Sequence, residues 1–320
     1  MKNMKRVLIC LLVLCLAGGA AFGALMGIRH VRHLYYQMLG LVDSVGSQVA
    51  DLYRMNAQEY ATLMREQKEK GMVPVFDYGW MNAGNHLICH ALGEIDGETY
   101  TNSREAFLAS YEKGYRVFEV DFMMTAQENA VVLGHDLEWA KGGEDSYRAY
   151  MSGGGKFTRM DLKDWIALMH EYQDIYLITD TKYTDEWSVR LLFTQLVYEA
   201  NRMDATVMGR IIPQVFSEGM YRTLMDLYPF SSVIYTLYMT GGWTADSVEE
   251  MCRRTGIGFV TMPVWVTDRD PVAQWKEHGL LTAIHTVNDP EEAKRYLEKG
   301  FDMLYTDSLN PDDFAEEEEE

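Results

Sequence analysis

The sequence predicts an α/β protein built on a (β/α)8 TIM barrel, and three observations predict it. Between about residues 85 and 315, eight short apolar runs alternate with amphipathic segments. Such alternation implies parallel pairing, and eight units suggest closure into a barrel. Two of the amphipathic segments end alike, in Glu112-Lys113-Gly114 and Glu298-Lys299-Gly300, and each runs straight into an apolar run. Polar residues also gather at the ends of the first three runs: His90; Glu119 and Asp121; Asp180 and Lys182. In a barrel those ends share one face, the face on which active sites are built.

The predicted strands span 86–90, 116–122, 175–180, 211–216, 232–236, 258–262, 280–284 and 302–305, with a short extra strand at 131–133 inside a loop excursion. Asn102 is placed to cap the first helix, with Glu105 three residues on as its capping-box partner. Asp289-Pro290-Glu291-Glu292 opens the last helix, with proline in the first turn and acids at the positive end of the helix dipole.

Within the second run, Val117-Phe118-Glu119-Val120-Asp121-Phe122, the two acids are two residues apart. A strand alternates faces, so both carboxylates point the same way. Burying two like charges on one apolar strand is costly unless a positive group lies between them. A divalent cation is one such group. The other reading is one acid in a salt bridge and one at a strand end. His135 follows the 131–133 excursion, so His90, Glu119, Asp121, His135, Asp180 and Lys182 converge on one predicted site.

At 320 residues and 48% apolar content the chain is large enough for one sizeable core and appendages. Its formal charge of -19 argues against nucleic acid as a partner, because phosphate backbones require basic patches. Part of that charge is the acidic tail at 316–320. The four cysteines show neither zinc spacing nor a disulfide framework, and Cys89 and Cys252 are expected as buried thiols, the other reading being a bridge between them. Lys2, Lys5 and Arg6 precede an uncharged, mostly apolar run at 7–28, about the ~20 residues a spanning helix needs. Residues 1–28 are therefore expected as an uncleaved signal anchor. Residues 29–84 follow as a helical juxtamembrane stalk and linker, whose apolar spacing either pairs chains into a homo-oligomer or packs the helix on the domain or along the membrane. The expected location is a single-pass protein of the cell membrane with its barrel, 85–315, outside the cytoplasm.

The motifs His90-Ala-Leu-Gly93, Tyr100-Thr-Asn-Ser-Arg-Glu-Ala-Phe107, Glu119-Val-Asp121, Val131-Val-Leu-Gly-His135-Asp136, Asp180-Thr-Lys182, Gln214-Val-Phe216 and Thr286-Val-Asn-Asp-Pro290 through Tyr305-Thr-Asp307 resemble, in order and spacing, the glycerophosphodiester phosphodiesterase family. That family lies within the wider group of phosphatidylinositol-phospholipase-C-like barrels. The resemblance implies a Ca²⁺ or Mg²⁺ ion on Glu119, Asp121 and Asp180, catalytic histidines at His90 and His135, and a charge-neutralising Lys182. It also implies a phosphodiester small molecule or lipid headgroup as substrate, attacked first by a neighbouring substrate hydroxyl.

The sequence departs from the family pattern in places. Ala91 stands where an arginine is usual, Thr101 where a glutamate is, and His285 where a tryptophan is. Asp180 replaces a glutamate and looks more like the sphingomyelinase D branch, which releases a cyclic phosphate. A catalytically silent barrel that binds a phosphorylated ligand is the competing reading of a different class. Tyr147, Tyr150, Trp243 and Trp265 are read as either cleft lining or core, and Glu94, Asp96 and Glu98 as a solvated loop.

Overall fold

The computed structural model describes residues 75–135, 146–153, 155–265 and 271–314. Its strands are β1 (Leu87–Cys89), β2 (Val117–Met124), β3 (Val131–Leu133), β4 (Tyr176–Asp180), β5 (Ile211–Val215), β6 (Ile234–Thr236), β7 (Phe259–Pro263), β8 (Leu281–His285) and β9 (Met303–Thr306). Its α-helices are α1 (Arg104–Glu112), α2 (Tyr147–Ser152), α3 (Leu162–Glu171), α4 (Glu186–Met203), α5 (Glu218–Leu227), α6 (Ala245–Thr255), α7 (Val272–Glu277) and α8 (Pro290–Glu298).

Eight of the strands are parallel and close on themselves. β1 pairs with β9 through Leu87–Leu304 and Ile88–Tyr305, and with β2 through Cys89–Phe118. The expected TIM barrel is therefore present, and β3 is the expected excursion, antiparallel to β2 with Phe122 opposite Leu133. Every residue of β2 is buried, as expected of a parallel strand covered on both faces. Alternation sends Phe118, Val120 and Phe122 outward into the core beneath the helices. Val117 faces inward, into a second core of Ile88, Ile178, Ile212, Ile234, Phe259 and Met303 inside the barrel. Glu119 and Asp121 share the face of Val117, above that apolar plug.

Two expectations are corrected by local geometry. Residues 75–84, expected as the end of a linker, instead pack on the N-terminal end of the barrel. There the buried Trp80 donates its indole N–H to Ser232 Oγ at 2.9 Å, and Tyr78 OH donates to the Val233 carbonyl at 3.0 Å while accepting from the Gly258 N–H at 2.8 Å. Strand ends expose unpaired backbone groups, and the Tyr78 hydroxyl satisfies two of them. The cap of α1 is Ser103, not Asn102: Ser103 Oγ accepts the Ala106 N–H at 3.2 Å, and Glu105 turns to Thr158 instead of boxing the cap. Asn102 is wholly buried and serves the site described below.

Cys89 and Cys252 are buried free thiols, as expected. Among the described residues no helix is long and apolar enough to cross a membrane. The apolar run at 7–28, the stalk from 29 to 74 and the acidic tail lie outside those residues.

Candidate active site

The site sits at the C-terminal ends of the barrel strands. β2 and β4 pair in register with Asp121 opposite Asp180, which sets two carboxylates side by side. Glu119 lies two residues earlier on the same inward face. Oxygens of all three carboxylates lie within 4.8 Å of one another, and all three residues are buried. Around them, Ala91 N–H donates to Glu119 Oε2 at 2.8 Å, and Asn102 clamps Asp121 from two sides. The Asn102 amide donates to Asp121 Oδ2 at 3.0 Å, and its carbonyl oxygen accepts the Asp121 N–H at 3.1 Å. Tyr238 OH donates to Asp180, 2.7 Å from Oδ1.

Lys182 follows Asp180 by two residues with a positive φ of 51°, a conformation rare outside glycine. That turn brings its ammonium against Asp180 and 3.1 Å from Asp121 Oδ1. Burial alone would lower the Lys182 pKa, but the charges of Asp180 and Asp121 outweigh it and raise it, so the ammonium stays charged.

The first histidine is held by a relay from β9 and the loop before α8. His90 Nδ1 lies 2.8 Å from Asp307 Oδ1, Asn288 donates to Asp307 Oδ2 at 2.7 Å, and the Asp307 N–H returns to Asn288 Oδ1 at 2.8 Å. Burial pushes the His90 pKa down, yet the Asp307 hydrogen bond and the nearby Glu119 charge outweigh it and lift the ring to about 9. The loop after β1 turns sharply, with Ala91 at φ 47° and Leu92 at φ 68°, closing on Gly93. A Cβ at Gly93 would meet Ser110 Oγ at 2.4 Å, so glycine is needed for that close approach as well as for its φ of 87°. The Ala91 side chain is wholly buried.

His135 reaches the same place from the excursion. The Gly134 N–H pairs with the Asp121 carbonyl at 2.9 Å. The rings of His90 and His135 both pack on Tyr100, with centroids 4.8 Å and 4.5 Å from it. The six residues expected at the site, His90, Glu119, Asp121, His135, Asp180 and Lys182, therefore gather at one end of the barrel.

Burial, together with the neighbouring Asp121 charge, pushes the Glu119 pKa well above the usual carboxylate range. Glu119 Oε1 has no hydrogen-bond partner, and Asp121 Oδ1 has the Lys182 charge but no hydrogen bond. Orphaned, mutually repelling carboxylate oxygens of this kind fit a hard divalent cation, which takes oxygen ligands.

Sequence reasoning missed Asn102, Tyr100, Tyr238, Asn288 and Asp307 as members of the site. Asp307 directly follows the last strand, much as Asp180 ends β4, a signal that was present. Of the aromatics read as cleft lining or core, Trp243 is buried against Trp275 with ring centroids 6.0 Å apart, and Tyr150 is buried beside Met123 and Val132. Asp96 and Glu98 do form an exposed loop, within 3.2 and 3.6 Å of Lys156.

No family model matches the chain, and no curated protein matches it in sequence. Solved structures match it in fold. A glycerophosphodiester phosphodiesterase from Parabacteroides distasonis is 22% identical, with a TM-score of 0.57 over 72% of this chain and 94% of that one. A phosphodiesterase from Oleispira antarctica, in complex with the product sn-glycerol-3-phosphate, is 15% identical, with a TM-score of 0.55 over 72% and 94%. The fold is that of the glycerophosphodiester phosphodiesterases. A second such enzyme from Parabacteroides distasonis agrees, at 15% identity and a TM-score of 0.53 over 75% of this chain and 84% of that one.

Proposed function

We propose that the protein is a divalent-cation-dependent phosphoric diester hydrolase of the glycerophosphodiester phosphodiesterase type. Its substrate is a glycerophosphodiester or a lysophospholipid-type diester. The observation that carries this reading is the convergence of two histidines, three carboxylates and a lysine at the strand ends of a barrel with this fold.

Glu119, Asp121 and Asp180 would hold the cation, Ca²⁺ or Mg²⁺, which when bound supplies positive charge to offset that of the diester. Lys182, kept cationic by Asp121 and Asp180, stands where developing negative charge needs a fixed partner. Asp307 keeps His90 in its charged form, so His90 is the group that gives a proton to the leaving oxygen. His135 takes the proton of the attacking hydroxyl. Asn102 and Tyr238 lock the carboxylates in place.

We further assign residues 1–28 as a membrane anchor that keeps the barrel on the extracytoplasmic side, with the stalk able to pair chains. Resistance of the membrane-bound chain to an alkaline wash tests the anchor.

Phosphorus NMR of the full chain with glycerophosphodiesters and lysophospholipids, in Ca²⁺, in Mg²⁺ and in chelator, tests the activity. Turnover should require the cation and fall about 10²–10⁴-fold in His90→Ala and in His135→Ala. No turnover across the panel by a folded, metal-bound protein would favour a silent binding barrel. The aspartate at 180 favours a second outcome, a cyclic phosphate that is not opened, and the same spectra distinguish it.

A further inference from the structure

The described surface exposes few large apolar side chains, and their placement is uneven. Tyr100, Trp187, Met239 and Trp265 are 40, 37, 43 and 70% exposed. Each follows the C-terminal end of a barrel strand: Tyr100 after β1, Trp187 in the first turn of α4 after β4, Met239 after β6 and Trp265 after β7. They therefore stand around the rim of the face that holds the site. The remaining one, Val75, begins the described chain, next to the residues that pack on the opposite end of the barrel.

Single exposed apolar side chains are common on any protein, but four set on the one face that holds the site read as an interaction surface. Trp and Tyr are the side chains that suit a membrane–water boundary, with an apolar body and a polar tip. The charges beside them select the kind of membrane. Asp96 and Glu98 precede Tyr100 and share one cation, Lys156, while Asp185 and Glu186 precede Trp187 with Arg190 on Glu186, so each exposed group keeps an excess of acid. The whole chain carries -19. An anionic bilayer would repel this rim, whereas the outer cationic groups of zwitterionic headgroups complement it. The length of chain preceding Val75 is compatible with this. Between the apolar run and Val75 lie residues 29–74, and a chain of that length covers about 70 Å even at helical rise, ample for the barrel to present its open face to a bilayer.

We infer that the rim of Tyr100, Trp187, Met239 and Trp265 is a docking surface for a zwitterionic lipid bilayer, from which the site draws a lipid-borne phosphodiester. The substrate half of this inference rests on the activity proposed above. The docking half stands without it.

The test reads Trp265 directly. The fluorescence of the full chain minus that of Trp265→Phe isolates this one tryptophan among the seven in the chain. It is recorded with phosphatidylcholine vesicles, plain and with brominated acyl chains, and with phosphatidylglycerol vesicles of the same kinds. Because the N-terminal run alone could hold the chain on vesicles, the readout is the Trp265 signal and not binding. Brominated phosphatidylcholine should blue-shift that signal and remove more than half of it, and phosphatidylglycerol should do so at least several-fold less. The Trp187→Phe difference should behave alike.

An unquenched Trp265 signal on vesicle-bound protein would overturn the inference, as would equal or stronger quenching by the anionic lipid. A Trp265 signal that shifts with protein concentration in the absence of lipid would assign the rim to a second copy of the chain instead. Quenching without any phosphodiester turnover would keep the docking surface and remove the proposed activity, so the two failures are distinguishable.

Discussion

Asp307 shows how much of the site depends on a residue that need not touch substrate. Its carboxylate is anchored by Asn288 and faces His90, and against its own burial the His90 contact holds its pKa below the ordinary value. Asp307→Asn keeps the shape and removes the charge. It should lower kcat about 10²-fold with little change in KM. The alkaline limb of the kcat–pH profile should also fall by about one pH unit or more, because His90 would lose the partner that keeps it protonated. A loss of activity with an unmoved limb would count against the positioning role.

His285 makes the complementary case. Burial, with the nearby His90 charge second, lowers its pKa to about 3, so the ring is neutral at working pH, and its Nε2 has no partner. The ring packs on Tyr238 and Tyr305 with centroids 5.7 and 5.6 Å away. His285→Phe retains those contacts and removes the orphaned nitrogen. The fold should gain about 1 kcal/mol, read as a higher urea midpoint at unchanged m.

At the scale of elements, alternation and punctuation were enough to locate the strands. The pattern from Val117 to Phe122 already put Glu119 and Asp121 on one face of the strand, and register did the rest by setting Asp121 opposite Asp180. What the pattern could not state was competition between neighbours. Asn102 and Ser103 are both good caps, and the choice fell to Ser103 because Asn102 fits the orphan groups of Asp121, a partner nineteen residues away. In the same way, residues 75–84 read as a linker because they carry no period, yet Trp80 and Tyr78 meet strand-end groups more than 150 residues distant in sequence. Trp80→Ala should therefore cost about 3–5 kcal/mol. At about 2–4 °C per kcal/mol for a domain of this size, the melting midpoint should drop by roughly 10 °C, with cation affinity unchanged.

For the whole molecule, the cation site proposed above should make stability depend on both pH and cation, because it is a cluster of buried acids. His90 binds its proton more tightly folded than unfolded, so in chelator the stability it contributes is complete below its ordinary pKa of about 6.5 and fades as pH rises through about 9. Glu119, also raised, acts with the same sign: ionising it among Asp121 and Asp180 weakens the apo fold as pH rises above the usual carboxylate range. A divalent cation reverses that trend because it needs Glu119 ionised. The melting midpoint of the full chain should therefore fall with pH in chelator from about pH 6 to pH 9. In saturating cation the gain should widen over the same range. At about 100 times the dissociation constant the gain is about 2.7 kcal/mol, roughly 5–10 °C here. Glu119→Gln should reduce the apo slope to the share His90 contributes and abolish most of the gain, since the Glu119 carboxylate enters both. A gain that does not grow with pH, or that survives Glu119→Gln, would place the cation elsewhere than on Glu119, Asp121 and Asp180.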